Sequence, residues 1–510
     1  MNLTSLLNEI VSQVGAPAFV RQALTILLLS VYGYVLLSLL CPSFTFRRRM
    51  LFAYPAGLSM FTLTSFLPVV LSIPYGTATA VIAALLALAV ILGALFVRKY
   101  HKDPRCFSVL YDCSIKEAVM AIVLLDLAIL LSCSGVLHIA LSNDSIFNYS
   151  FYPRLIVHFG GLRPNFNTFL TDVGPGAAMV GTLPYLFGFQ ETFGLQHMLN
   201  LVFLAIFGVA VYEKCTVSGK KSRLLFAFSA VVLLLSSTPY LLLSKWILSN
   251  DYFAVFMFLC AYLADFGTDE SRSPETREDT LWLLYILLAM LSLLRIEGGV
   301  YVILFVLCVS VRKIGAKSLA FGMLLPALVL QSLYAFRIFC TMHFIAPYRF
   351  LTEGKVLLML AAMAATLLYL LLIRGRYCLK LQDHFGVLIM AGLFVLNLLL
   401  FVKDRAGYLE NMRAFLENIL RSGGWGIFPL TVALLFLISL GKRFRFGYWD
   451  LMAFGYFLYA LAVSFMREGG LQAGPGDSGN RVLMQALPLL LFAGIIHVLQ
   501  RFGERREAQE

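Results

Sequence analysis

Runs of roughly 17–25 apolar residues recur from one end of this chain to the other, each long enough to cross about 30 Å of hydrocarbon as a helix. Hydrocarbon offers no water to satisfy backbone N–H and C=O groups, so such a run must close its own hydrogen bonds as an α-helix. Of the 510 residues, 60% are hydrophobic and only 13% charged, against about 25% charged in soluble domains. No polar stretch is long enough to bury an independent core. The sequence therefore predicts an all-α polytopic membrane protein with about 13–15 transmembrane helices. The runs begin at 22–41 and end at 482–499, and include 118–140, 252–266, 281–295, 298–311 and 426–440. Met1–Ala18 is polar and lacks a basic start, so the first span, rather than a cleaved leader, is the expected insertion signal.

The net charge of +12 is a topology signal. Basic residues crowd one set of alternate loops: Arg47–Arg49, Arg98–Arg105, Lys214–Arg223, Arg312–Lys317, Arg374–Lys380, Lys442–Arg445 and Arg501–Arg506. The positive-inside rule puts these loops in the cytoplasm, the N-terminus outside and the C-terminus inside. Nothing in this pattern calls for nucleic acid. The nine cysteines include no C-x-x-C pair and the seven histidines no H-E-x-x-H spacing. Most cysteines fall in or beside apolar runs, where they read as small apolar fillers.

The opposite face carries the candidate chemistry. Its dominant loop, 141–196, is rich in Asn, Tyr, Arg, His, Gly and Pro and holds Asp144, Arg154, His158 and Asp172. Asp144 directly follows a span. At a membrane–water boundary, partial desolvation can raise a carboxylate toward the pKa of a useful base. Asp251 stands in a parallel S-N-D context before another span. Both aspartates also read as helix N-caps. Residues 145–160 suggest an interfacial helix, with Pro153 near its middle as a break. The turn T-D-V-G-P-G at 171–176 reads first as a tight turn and second as an anion cradle presenting Asp172 or backbone N–H groups.

Arg295 and Glu297 sit in a short turn between two spans, where charges are either paired with each other or functional. Arg481, in D-S-G-N-R before the last span, reads as a phosphate ligand or as a snorkelling interfacial cation. Arg349 is a further candidate phosphate contact. Cations on this face oppose the orientation rule, and a bound anion such as a lipid phosphate would compensate for them. Segment 408–420 has apolar residues at helical spacing and reads as an interfacial or external helix.

Four stretches together carry a family resemblance: SNDSIFNYSFYPRLIVHFGG, SKWILSND, LLRIEGG and GDSGNRVLMQALPLLL. In order and in side of the membrane they resemble the GT-C superfamily of integral-membrane glycosyltransferases, of the protein mannosyltransferase and aminoarabinose transferase type. The likeness covers roughly Glu117 to Val498. It implies three regions: extra N-terminal helices over 1–116, a catalytic transmembrane module over 117–311 and variable C-terminal helices over 312–510. It further implies a helical bundle with external juxtamembrane helices, in a plasma membrane of bacterial type.

The implied donor is a sugar on a polyprenyl phosphate, and the implied acceptor a lipid, glycan or protein at the external face. The implied catalytic residues are Asp144 and Asp251, with Asp172 as a further acid. The implied substrate and phosphate contacts are Arg154, His158, Arg295, Glu297, Arg349 and Arg481. One aspartate stands where some relatives have an acidic pair, which leaves a divalent metal open and names no other cofactor. Two other readings remain. A lipid-linked polysaccharide polymerase or ligase would carry its dominant external loop late, whereas here it is early. A polyprenyl-lipid flippase or transporter would show broken helices and an internal repeat.

Overall fold

The computed structural model describes residues 16–100, 114–133, 151–162, 174–189, 193–215, 219–246, 248–295, 297–312, 314–341, 352–372, 384–439, 446–466 and 470–507. Among these the regular elements are all helical, and the protein is an all-α polytopic membrane protein. In chain order the first helices are α1 (Ala16–Leu40), α2 (Phe46–Val70), α3 (Thr77–Tyr100), α4 (Ile115–Cys133), α5 (Tyr152–His158), α6 (Pro175–Leu186) and α7 (Phe193–Lys214). There follow α8 (Lys220–Leu235), α9 (Thr238–Trp246), α10 (Leu248–Gly267), α11 (Pro274–Leu294), α12 (Gly298–Ser310) and α13 (Leu325–Ala335), the last flanked by π-helical turns. The remainder are α14 (Glu353–Leu372), α15 (Phe385–Lys403), α16 (Arg405–Glu417), α17 (Phe428–Ser439), α18 (Tyr448–Met466), α19 (Ser478–Met484) and α20 (Leu487–Glu507).

Nine of the described helices are long and apolar enough to span a membrane, or ten if a bent pair counts as one span. The expectation of about fifteen counted shorter pieces. The runs at 298–311 and 426–440 fold as α12 and α17, of 13 and 12 residues, short of the roughly 20 that a span needs. The run at 118–140 is described only as far as Cys133.

Helix starts follow local chemistry. At α4, Ser114 and Glu117 form a reciprocal capping box: the Ser114 amide donates to Glu117 Oε2 at 3.1 Å and the Glu117 amide to Ser114 Oγ at 3.3 Å. The Ser114 amide, its hydroxyl and Arg47 hold the Glu117 carboxyl below the usual carboxylate range. Ser273 caps α11, and Pro274 fills its first position. Asp404 caps α16, accepting from the Gly407 amide at 2.9 Å. This helix is the one read at 408–420, and it buries none of its residues.

The chain forms two compact units, each discontinuous in sequence. The first comprises Met1–Phe203, Leu263–Val302 and Ala320–Leu367. Its helices α1 and α2 touch backbone to backbone. A Cβ built on Gly33 would lie 2.6 Å from the Gly57 amide nitrogen, and one on Gly57 would lie 2.9 Å from that of Gly33. Small residues at such a crossing let apolar helices pack without a hydrophobic drive between them. The link after α1 is held by buried polar groups: Arg49 Nε donates to the Phe44 carbonyl at 2.9 Å, and the Ser43 amide donates to Asp279 Oδ2 at 2.7 Å.

The second unit comprises Leu204–Tyr262, Ile303–Leu319 and Leu368–Glu510. Its core is aromatic. Phe492 meets Trp449, Phe258 and Phe207 with ring centroids 4.3, 5.2 and 5.7 Å away, geometries that add to simple burial. The described cysteines at 41, 133, 215, 260 and 308 are buried free thiols.

Candidate functional site

Of the residues named from the sequence, Asp144, Asp172 and Arg349 lie outside the described residues. Asp251 and Arg481 belong to the second unit; Arg154, His158, Arg295 and Glu297 belong to the first.

In the second unit, α10 begins at Leu248, so Asp251 lies within the first helical turn and not at the cap. It is 1% exposed. The cap reading fails because the helix starts three residues earlier. In the first turn of a helix the dipole favours a negative charge. Asp251 lies near the hydroxyls of Tyr240 and Tyr252. The Tyr252 hydroxyl is buried and meets no hydrogen-bond partner among the described residues.

The neighbouring Asn250 opens a buried polar chain. Its Oδ1 accepts from Gln485 Nε2, and Gln485 Oε1 accepts from the Tyr456 hydroxyl at 2.5 Å. Arg481 precedes Gln485 by four residues, one turn of α19, which places the two on one side of that helix. Asp477 caps α19 by accepting from the Asn480 amide at 2.8 Å. Asn480 in turn accepts from Trp425 Nε1 at 2.8 Å and donates to the Gly423 carbonyl at 2.9 Å. Asn418 closes the same latch, donating to the Gln472 carbonyl at 2.8 Å and accepting from the Gly474 amide at 2.7 Å. Arg481 is thus mounted beside a hydrogen-bonded support.

In the first unit, Arg295 Nε donates to Glu297 Oε1 at 2.5 Å, with both side chains largely buried. The mutual pair read from the sequence is present. Glu297 Oε2 is buried and has no hydrogen-bond partner among the described residues. The turn is tight: the Gly298 amide donates to the Arg295 carbonyl at 2.9 Å, and the Val300 amide donates to the Glu297 carbonyl at 3.0 Å. Opposite stands the G-P-G sequence read as a tight turn. It forms the start of α6, with Gly174 at the cap and Pro175 in the first position. A Cβ on Gly174 would collide with the Leu293–Arg295 backbone, and one on Gly176 would lie 2.9 Å from the Leu293 carbonyl carbon. These glycines exist for close approach to the Arg295 turn.

Alanine in place of Glu297 would remove the carboxylate that meets a partly buried guanidinium, and a loss of about 3 kcal/mol is expected. Thermal unfolding in mild detergent reads it. The double variant Arg295→Met/Glu297→Leu is expected to recover most of the loss; an equal loss in the double variant would mean that the turn needs the charges themselves.

Helix α5 places Arg154 and His158 one turn apart, both exposed. Pro153 sits in its first turn, where a missing N–H costs nothing; residues 145–150 of the helix read at 145–160 lie outside the described residues. Among the described residues no group of three His, Cys, Asp or Glu is placed to hold a metal ion. Sequence reading passed over Asn250, Gln485, Tyr456 and Asn480. Gln485 carried a usable signal: it is a lone amide in the apolar run V-L-M-Q-A-L-P-L-L-L, and polar groups inside spans are rarely idle. No family model matches the chain, and neither a curated protein nor a solved structure matches it.

Proposed function

We propose that the protein is a membrane glycosyltransferase of the GT-C type, moving a sugar from a polyprenyl phosphate to an acceptor hydroxyl at the external face. The observation that supports it best is Asp251: a carboxylate buried in the first turn of an apolar helix, beside an amide chain that runs to the helix bearing Arg481. Buried intramembrane charges are functional candidates by default. In this reading Asp144 takes the proton of the acceptor hydroxyl, and the acceptor oxygen attacks the anomeric carbon. The bond from that carbon to the phosphate oxygen breaks, with inversion. The phosphate leaves with the bonding pair and needs no proton, so cations rather than a second acid stabilise it. Arg481 is the phosphate ligand, and Asp251 orients the acceptor or sugar. Arg295 and Arg349 stay in the reading as further phosphate contacts, on sequence grounds.

A lipid translocase is the second reading, favoured by one observation. Helices α8 and α9 are together long and apolar enough for one span but bend by 69° at their break, and discontinuous helices mark transporter sites. The deciding experiment supplies purified full-length protein with radiolabelled sugars on polyprenyl monophosphate and, separately, with diphosphate-linked oligosaccharides. Turnover of a monophosphate donor is expected. Turnover of diphosphate donors alone would make the protein a polymerase or ligase. Movement of the lipid across proteoliposomes without turnover would make it a translocase.

A further inference from the structure

Between α1, α2, α4 and α7 the first unit holds an apolar groove of about 300 Å³. All of its lining falls within Met1–Phe203, inside that one unit. On α4 the lining residues are Ala118, Ala121, Ile122 and Leu125, a spacing that puts them on one face of the helix. The two alanines on that face leave a gap that larger side chains would close. Met50 and Met198 also line it, unbranched side chains that adapt to an irregular occupant. The groove reaches the protein surface at Val31 on α1 and Ile122 on α4, which are 54% and 58% exposed.

The walls offer little to a polar ligand. Ser30 Oγ donates to the Ile26 carbonyl at 2.8 Å, and the Tyr54 hydroxyl to the Leu195 carbonyl at 2.8 Å. Two of the three lining hydroxyls are therefore already bonded to backbone; the third is on Tyr34, whose ring meets Phe46 edge-on with centroids 6.0 Å apart. A pocket of this kind holds apolar groups rather than water. One end differs. Phe46 and Ala118 line the groove there, and their chain neighbours Arg47 and Glu117 join α2 to α4, with Arg47 Nη2 2.8 Å from Glu117 Oε1. Glu117 Oε2 accepts from the Ser114 amide and hydroxyl at 3.1 and 3.0 Å. Lys116 is exposed one residue before. Two cations thus stand beside one carboxylate whose oxygens are both engaged, an excess of positive charge that attracts an anionic headgroup.

We infer that this groove holds one hydrocarbon chain of an anionic phospholipid, with the headgroup phosphate at Arg47 and Lys116. From Phe46 to Tyr54 α2 rises roughly 12 Å, at 1.5 Å per residue. That fits within the roughly 15 Å that half of a 30 Å hydrocarbon layer provides. An apolar groove of that length with charge at one end matches a lipid of a single leaflet. Helices α1 and α2 are both long and apolar enough to span a membrane, so a chain reaches the opening without leaving hydrocarbon. Once seated, it fills the gap at the alanines and ties α4 to the α1–α2 pair. The inference stands without the glycosyltransferase reading, because it uses none of the residues assigned there.

The test uses full-length protein in mild detergent and reads bound lipid by native mass spectrometry, with phosphatidylglycerol and phosphatidylcholine offered together. Wild type is expected to retain phosphatidylglycerol in preference. Ala121→Phe, which fills the groove, is expected to lower that retention at least about ten-fold, the worth of two buried methylenes. Lys116→Gln is expected to lower the preference about five-fold, the worth of one basic residue near a charged headgroup. Leu124→Phe alters the outward face of α4, where Leu124 is 58% exposed, leaves the groove alone and is expected to match wild type. Equal retention of the two lipids by wild type overturns the inference, as does equal retention by wild type and folded Ala121→Phe. A loss in Leu124→Phe as large as in Ala121→Phe also overturns it. If Ala121→Phe does not fold, wild type loaded with phosphatidylglycerol is challenged with soluble glycerol 3-phosphate. No displacement is expected; displacement would mean that the headgroup alone holds the lipid, and would overturn the assignment of its chain to the groove.

Discussion

Asp144→Asn is expected to lower sugar transfer by about 10²–10⁴-fold in kcat, the range that one general base supplies, while substrate binding and the melting temperature stay near wild type. Asp251→Asn should behave differently. Asparagine has almost the shape of aspartate and can occupy the same place in the first turn of α10, so the fold should survive. What is lost is an acidic group in the first turn of the helix near Tyr240 and Tyr252. A residue that orients substrate is expected to cost roughly 10²-fold when its hold is loosened, with KM rising as kcat falls. The split between the two constants separates positioning from mere support, since a structural role would lower the melting temperature and leave KM alone. Full activity in Asp144→Asn would leave that residue no catalytic task. An unfolded Asp251→Asn would make the buried carboxylate a structural group.

The second large effect belongs to the first unit. Gly57→Leu is expected to force α1 and α2 apart and to cost at least about 3 kcal/mol, the upper end of ordinary overpacking. The opposing atoms are the Leu29 carbonyl and the Gly33 amide, and backbone cannot turn aside as a side chain can. Gly93→Leu is the control: the same residue change in α3, at a glycine with nothing within 4 Å of a built Cβ. Melting in mild detergent should fall sharply for the first and stay unchanged for the second. Equal melting in both would show that the two helices do not depend on this contact.

The helical class was legible because hydrocarbon leaves apolar runs of this length no alternative to a helix. The Arg295–Glu297 pair was legible because opposite charges two residues apart in a short turn have little else to meet. The external helix at 408–420 was legible from its spacing, and Asp404 supplies its cap. Less could be read where the outcome depended on distant residues. Asp251 looked like a cap because S-N-D suits one; only the helix start at Leu248 shows it to be inside. The Gly33–Gly57 contact left no local trace, since neither glycine marks a turn. The amide chain from Asn250 through Gln485 to Tyr456 joins parts of the sequence that no periodicity connects.

That long-range amide link also bears on how the protein is made. Gln485 lies 235 residues after Asn250, and a ribosome adding about 5–20 residues per second needs tens of seconds to cover that distance. Throughout that interval α10 is already synthesised, with Asn250 and Asp251 near its start and the Gln485 amide that meets Asn250 not yet made. The latch around Asn418 likewise waits for Gln472 and Gly474. The second unit lacks these hydrogen bonds until almost its last helix emerges. Loss of even the final thirty or so residues by a late stop codon would therefore remove more than a tail, because it would leave the earlier half of the second unit permanently unfinished.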